Sequence, residues 1–384
     1  MKWRIPLSDI DFGSEEIVAV QKVLESRWLT MGSVTQKFEE SLAHYVGTKH
    51  AIAVTNATAA LHLACLAVNI SRCDEVIVPS LTFVATSNAV LYAKGNPVFT
   101  DITAEMDLNI SPRAIEANIT ERTRAIIVVH YGGYPCDMRE ITALAKRNNL
   151  QVIEDAAHAI GSELEGHKLG TIGNIGCFSF FSNKNMTTGE GGMLVTNDDA
   201  FAKELRLLRS HGMTSLTWDR HQGHAWDYDV VALGYNYRID EIRAALGIVQ
   251  LGKLERNNER RRELTQYYRS LLQDLTPEIG IPFENYRGIS AAHLMPILLP
   301  DGLRRNVFIE SMKAKGIQTS HHYPPIHRFS AYQNNPDIIQ KNLPITDEVA
   351  KREVTLPLYS TLSNADALIV VDAVRESLLE SKES

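Results

Sequence analysis

Three groups of residues in this 384-residue sequence invite a chemical reading. Lys184 follows the apolar, aromatic run GCFSFFSN (176–183), a setting in which lysine is rare unless paired or reactive. Partial desolvation lowers an amine's pKa and makes it a nucleophile toward aldehydes. Gly189, Gly191 and Gly192, just downstream, supply turn conformations and room for a ligand. Glu154 and Asp155 close the apolar run QVIED; consecutive strand residues face opposite ways, so the two carboxylates do different work. A buried acid there requires a cation or a donor, the plain alternative being a solvated turn. Third, Thr55-Asn56-Ala57-Thr58-Ala59-Ala60 leads from an apolar run into a helical pattern. Small residues permit close approach, free N–H groups and the helix dipole favour an anion, and Thr58 adds a hydroxyl.

The elements that must position these groups recur along the chain. Near-continuous apolar runs stand at 51–56, 75–80, 97–102, 125–130, 151–156, 176–181 and 191–197, the pattern of strands buried on both faces. Helical patterns such as ATAALHLACLAV, TFVATSNAVLYAKG, SPRAIEANI and MREITALAKRNN lie between them. The alternation predicts one α/β domain built on a mostly parallel seven-stranded sheet. Residues 199–211 read as a helix and 212–230 as a polar, aromatic-dotted loop; a long helix starts at DEIRAALG, and shorter strands and helices follow from about 276. The expected division is a large domain over 1–255, with the N-terminal segment, and a smaller α+β domain over 256–384.

Composition narrows the classes. Hydrophobic residues make up 44% and charged residues 22%, enough for a sizeable core. A net charge of −7 argues against a nucleic-acid partner, which needs a basic face, but not against one phosphate. Cys65, Cys73, Cys136 and Cys177 form no CxxC pair and read as reduced thiols. The opening MKWRIPLSDIDFG has no apolar stretch of a secretory leader, and no apolar run reaches membrane-spanning length; a cytoplasmic location is expected. No dinucleotide fingerprint, Walker loop, HExxH or GxSxG occurs. His321, His322 and His327 in SHHYPPIH lack a companion carboxylate at ligand spacing, so no metal is expected.

An anion cradle, an acid on a neighbouring strand and a nucleophilic lysine together match pyridoxal phosphate. Its phosphate would take the helix start, its aldehyde would condense with Lys184, and its ring nitrogen would pair with Asp155.

The ordered motifs SRWLTMGSVTQKFEESLAHYVGTKHAIAVTNATAALHLA, PSLTFVAT, VVHYGGYPCDM, IEDAAHAIGSELEGHKLGTIGNIGCFSFFSNKNMTTGEGGMLVTND, LGYNYRIDEIRAALG, SHHYPPIH and TLPLYSTLS carry a resemblance over nearly the whole chain. The sequence is similar to the sugar aminotransferases of the DegT/StrS type, which have the fold type I architecture of pyridoxal phosphate enzymes. The resemblance implies Lys184 as the Schiff-base lysine and proton shuttle, and Asp155 as the partner of the pyridine nitrogen. It implies Thr58, Ala59 and Ser179 on the phosphate, Phe83 stacked on the ring, and Ala157 and His158 beside the cofactor. It places the GYNYR loop, through Asn236, in the site of a second subunit, and so implies a homodimer. Ala57, Ser182 and Asn183 depart from the commoner residues without touching a chemical role. A dehydratase branch carries His at the lysine position, so Lys184 points to transamination. The implied reaction moves an amino group from an amino acid, L-glutamate, to a nucleotide-linked keto-sugar of the 4-keto-6-deoxy kind. An inosose as acceptor, or a regulatory relative that binds without turnover, are the alternatives. The partner subunit and the C-terminal domain are expected to roof the site, through His321, Tyr323 and the Trp218–His224 loop, with His321 and Tyr323 meeting the substrate.

Overall fold

The computed structural model describes residues 3–215, 218, 222–223, 226–336, 338–339 and 341–382. All seven apolar runs become strands of one sheet: β1 (His50–Val54), β2 (Glu75–Pro79), β3 (Asn96–Thr100), β4 (Thr123–Val129), β5 (Gln151–Asp155), β6 (Ile175–Ser179) and β7 (Gly192–Thr196). Their order is β1-β7-β6-β5-β4-β2-β3. The pairs β6–β5, β5–β4, β4–β2 and β2–β3 are parallel. Only β7 runs back, antiparallel to both β1 and β6. The link from β6 to β7 is therefore a hairpin-like loop between neighbours, and Lys184 sits on it. Phe180 N–H donates to Gly191 O and Thr188 N–H to Phe180 O, each at 2.9 Å, closing its base.

Helices cover both faces, as parallel sheets require. One face carries α1 (Ser14–Ser26), α2 (Ser33–Val46), the start of a long helix and Met138–Arg147, around a core that includes Phe38, Leu42, Ile126, Val128, Phe178 and Leu254. The other packs α3 (Ala57–Ala67) and α4 (Ala85–Tyr92) on Ile52, Val54, Ile127, Ile153 and Leu194. The helix α5 (Glu241–Leu275) is 35 residues long, with Asp240 capping its start through Arg243 N–H. It changes cores midway: Leu254 belongs to the sheet, whereas Leu264, Tyr268 and Leu272 belong to a second cluster with Ile297, Phe308, Val354 and Val374. That cluster surrounds a two-stranded antiparallel ribbon, β8 (Met295–Leu298) with β9 (Glu353–Leu356), flanked by α6 (Arg305–Ala314) and Asn364–Lys382. Ile5, far away in sequence, bridges to Ile317 and packs in the same cluster, so the first residues associate with the C-terminal core and not with the sheet.

Among the described residues, no helix is long and apolar enough to cross a membrane, and no group of three or more His, Cys, Asp or Glu is placed to hold a metal ion.

Candidate active site

The carboxyl ends of β1, β2, β5 and β6 open into one cavity of about 440 Å³. This is where open α/β sheets bind ligands. It brings together Thr58, Phe83, Asp155, Ala157, His158, Ser179, Lys184 and Tyr323, with Asn56, Asn183, Glu190 and His322 on the same walls.

The two acids of β5 part as strand alternation requires. Glu154 turns away from the cavity and is fully buried. It accepts from His130 Nε2 (2.9 Å), Gly170 N–H (2.8 Å), Ile172 N–H (2.7 Å) and Gly173 N–H (2.5 Å). Burial alone would raise its pKa, but these donors hold it below the usual carboxylate range. Asp155 faces the cavity with 5% of its surface exposed and has thinner support, Thr86 Oγ1–H at 2.8 Å and Ala157 N–H at 3.2 Å. Burial lifts its pKa despite these bonds and the nearby Lys184 charge. Among the described residues, no cation comes within ion-pair distance of Asp155, and the Lys184 charge acts from farther off. Lys184 shows the complementary strain: burial pushes its amine down to about 8, only partly opposed by Asp155. About a tenth of the amine is therefore neutral at pH 7, far more than for an ordinary lysine, and the neutral form is the nucleophile.

At the start of α3, Asn56 is the N-cap and its Oδ1 accepts from Ala59 N–H (2.8 Å). Ala59 is buried with that N–H satisfied and is absent from the cavity wall; Ala57 and Thr58 line it instead. The cap thus ties up the third N–H of α3, and Asn56, Ala57 and Thr58 are the residues of this turn that face the cavity. Ser179 ends β6 on the same wall. A Cβ at Gly192 would stand 2.5–2.7 Å from the Asn56 and Ala57 backbone, so only glycine lets β7 pass so close to this turn. Phe83 is 57% exposed over the cavity, an apolar face left without cover.

The roof comes from the segment after Ile317. Gly132 N–H donates to His158 Nδ1 (3.3 Å), so that nitrogen is an acceptor and the ring is neutral, its proton on Nε2. Burial, with the Lys184 charge, also drives its pKa well down. His158 Nε2–H then donates to Tyr323 Oη (2.9 Å), which leaves the Tyr323 hydroxyl proton for the cavity. Of the expected roof residues, Tyr323 lines the cavity and His321 does not; the adjacent His322 takes that place. Nothing in SHHYPP tells which histidine faces inward. His327 is pinned elsewhere, with Nδ1 2.8 Å from Ser80 Oγ. Trp218 packs edge-on against Trp28, ring centres 4.9 Å apart, in a separate groove beside α1 and α5, away from this chain's own cavity. His224 lies outside the described residues. Asn236 is exposed and off this chain's own cavity. Asn before a helix is a cap signal that could have singled out Asn56; His322 carried no such mark.

The residues fit pyridoxal phosphate on features of this structure: a depressed amine, a buried acid short of a cation, a helix start lined by small residues, and an uncovered aromatic face. Comparison with known proteins agrees. The model of the DegT/DnrJ/EryC1/StrS aminotransferase family matches residues 11–375. The spore coat polysaccharide biosynthesis protein SpsC of Bacillus subtilis is 40% identical over 377 residues, 97% of this chain and 96% of that protein. Spr1654 of Streptococcus pneumoniae, solved in a PLP form, superposes with a TM-score of 0.90 at 28% identity, over 98% of this chain and 99% of that one. DesI, solved in the presence of its TDP-sugar product, gives a TM-score of 0.88 at 29% identity, over 100% of this chain and 94% of the other.

Proposed function

The chain belongs to the DegT/DnrJ/EryC1/StrS aminotransferase family, and from that premise we propose that it carries an amino group from L-glutamate to a nucleotide-linked keto-sugar. That it is a sugar aminotransferase using pyridoxal phosphate follows from the family and its relatives; the donor, the nucleotide and a 4-keto-6-deoxy ring are our reading. The observation that carries it is the pairing in one cavity of the depressed Lys184 amine with the under-partnered Asp155. Bound there, pyridoxal phosphate supplies an aldehyde for amines and a ring that holds the electron pair left when a C–H bond breaks.

The chain's own residues divide the rest. Asp155 holds the ring nitrogen protonated. Thr58, Ser179 and the start of α3 would hold the phosphate, with Phe83 and Ala157 beside the ring. With the group bound, Lys184 would move a proton off the donor's α-carbon as general base and return it as acid. The DesI product form supports a nucleotide-linked acceptor, and the SpsC name supports a polysaccharide destination. The resting site is open on the Phe83 side. Exposed Phe181, Tyr228, Val230, Val231 and Leu233 support a second copy covering it, with Asn236 reaching across. We place the cofactor on residues up to 255 and the roof on 256–384.

Loaded protein is expected to be yellow, its visible band shifting on L-glutamate and returning on a 4-keto-6-deoxy nucleotide sugar. No spectral response to any common amino donor would overturn the reading. Turnover of an inosose with none of the keto-sugars would move the acceptor to cyclitols. A monomer by light scattering would remove the shared site.

A further inference from the structure

Behind the roof sits a buried carboxyl that the site has not yet used. Glu353 opens β9 and is fully enclosed. Its Oε2 accepts the backbone N–H of His322 (2.9 Å), and its Oε1 lies 2.5 Å from Thr355 Oγ1. Thr355 Oγ1 in turn lies 2.9 Å from His322 Nδ1. Carboxyl, hydroxyl and imidazole form one chain, and its far end is the ring of His322 on the cavity wall. Tyr131 Oη–H donates to the His322 carbonyl, so the peptide carrying this ring is held from both sides. Burial pushes His322 down to about 3, with the Lys184 charge and His321 adding to the effect, and the ring is neutral.

A neutral imidazole has one proton and a hydroxyl has one, so the chain has two arrangements. With Glu353 ionised, Thr355 donates to the carboxylate and accepts from His322 Nδ1–H, leaving Nε2 a bare acceptor at the cavity. With Glu353 protonated, its O–H donates to Thr355, Thr355 donates to Nδ1, and Nε2 carries the proton. One proton separates the two: it enters at Nε2, the Nδ1 proton passes to Thr355, and the Thr355 proton passes to Glu353.

We propose that Glu353 is a positioning residue whose proton, relayed through Thr355, sets whether His322 meets the substrate as hydrogen-bond acceptor or donor. Burial lifts the Glu353 carboxyl to about 8, against Thr355, the His322 N–H and the Arg305 charge, so both arrangements fall in the working range. The ionisable groups facing it are Arg305 from α6, Tyr131 from the turn after β4, and His322 and Tyr323 from the roof. The identity of the substrate in this inference rests on the function proposed above; the relay does not.

The test is imidazole ¹⁵N NMR on the full chain loaded with pyridoxal phosphate, from pH 6.5 to 9.5, with the His322 signal assigned by its loss in His322→Gln. The wild type is expected to pass from the Nε2–H to the Nδ1–H tautomer near pH 8. Glu353→Gln, whose amide donates to Thr355 at every pH, is expected to stay Nε2–H throughout. Thr355→Val cuts the chain and is expected to abolish the pH response. In parallel, the KM for the keto acceptor is expected to change roughly threefold to tenfold across pH 8, the worth of one hydrogen bond, and to be flat in Glu353→Gln. One unchanging tautomer in the wild type, or a switch that survives in both variants, overturns the relay. A switch in a protein that turns over no keto-sugar overturns the functional reading and upholds the relay.

Discussion

The floor and the roof of the cavity are built on different physics. The floor is the ends of β1, β5 and β6, and it works with charge: an amine pushed down and an acid pushed up, facing one space. The roof is the segment around His322 and Tyr323, and it works with neutral groups whose proton directions are set from behind by Gly132 and Glu353. A charge needs only to be placed, and strand geometry places it. A directed hydrogen bond needs its whole chain of partners, so it depends on residues scattered over most of the sequence. Substitutions in the floor should therefore change rates by orders of magnitude, and those in the roof by the worth of single bonds.

The largest effect is expected from Lys184→Ala, a loss of at least ~10³-fold in turnover, since nucleophile and proton carrier go together. Its melting temperature should hold or rise in the cofactor-free protein. A base whose pKa is depressed on folding destabilises while it is protonated, and that cost fades as pH rises from about 8 toward its usual range. Stopped-flow uptake of cofactor by the wild type should accelerate through about pH 8.

Next is Asp155→Asn, expected to cost ~10²- to 10³-fold in turnover, the scale of one preorganised electrostatic contact. Its sign in stability separates it from the adjacent Glu154. Asp155 has a raised pKa, so its stabilising share is present below the unfolded value and is lost as pH rises through the folded one. Asn should therefore stabilise the cofactor-free protein at pH 7 in a urea melt. Glu154 has a lowered pKa and the opposite sign, present above the unfolded value and lost as pH falls through the folded one. Glu154→Ala, which strands His130 and three backbone N–H groups, is expected to lose about 3–5 kcal/mol in the same melt. Equal and opposite shifts at these neighbours would mark alternation along β5 as the cause; like shifts would break the contrast.

The smallest effect tests the roof. Tyr323→Phe is expected to slow the keto-acceptor half-reaction roughly threefold to tenfold, and to leave the amino-donor half-reaction within about twofold. A thousandfold loss in single-turnover kinetics would place Tyr323 with the floor.

The same contrast explains what could be read in the sequence. Seven buried strands, and the lysine and acid at their ends, follow from apolar runs punctuated by ionisable residues, because period and burial are local properties. That Asn56 caps α3 through Ala59 N–H was not marked out, because a cap is decided by one hydrogen bond within a run of small residues. His321 and His322 could not be told apart, since which of two neighbours faces inward depends on the bridge from Ser320 to Thr355, thirty-odd positions away. Glu353 carries no mark in the sequence, one acid at the head of VTLPL. Its burial follows from α6 and the turn after β4 closing over it. Asn236 is exposed and off its own chain's cavity, so its expected role falls on a surface the sequence cannot place.

The backward run of β7 bears on how the lysine is held. Because β6 and β7 are adjacent and antiparallel, the loop from Phe180 to Gly191 begins and ends at neighbouring points fastened by two backbone bonds. Closing a leash that short costs little chain entropy beyond what the sheet has already settled. A βαβ crossover at this place would have hung the amine on a longer tether. On this short leash the Lys184 amine is kept at the cavity that it shares with Asp155.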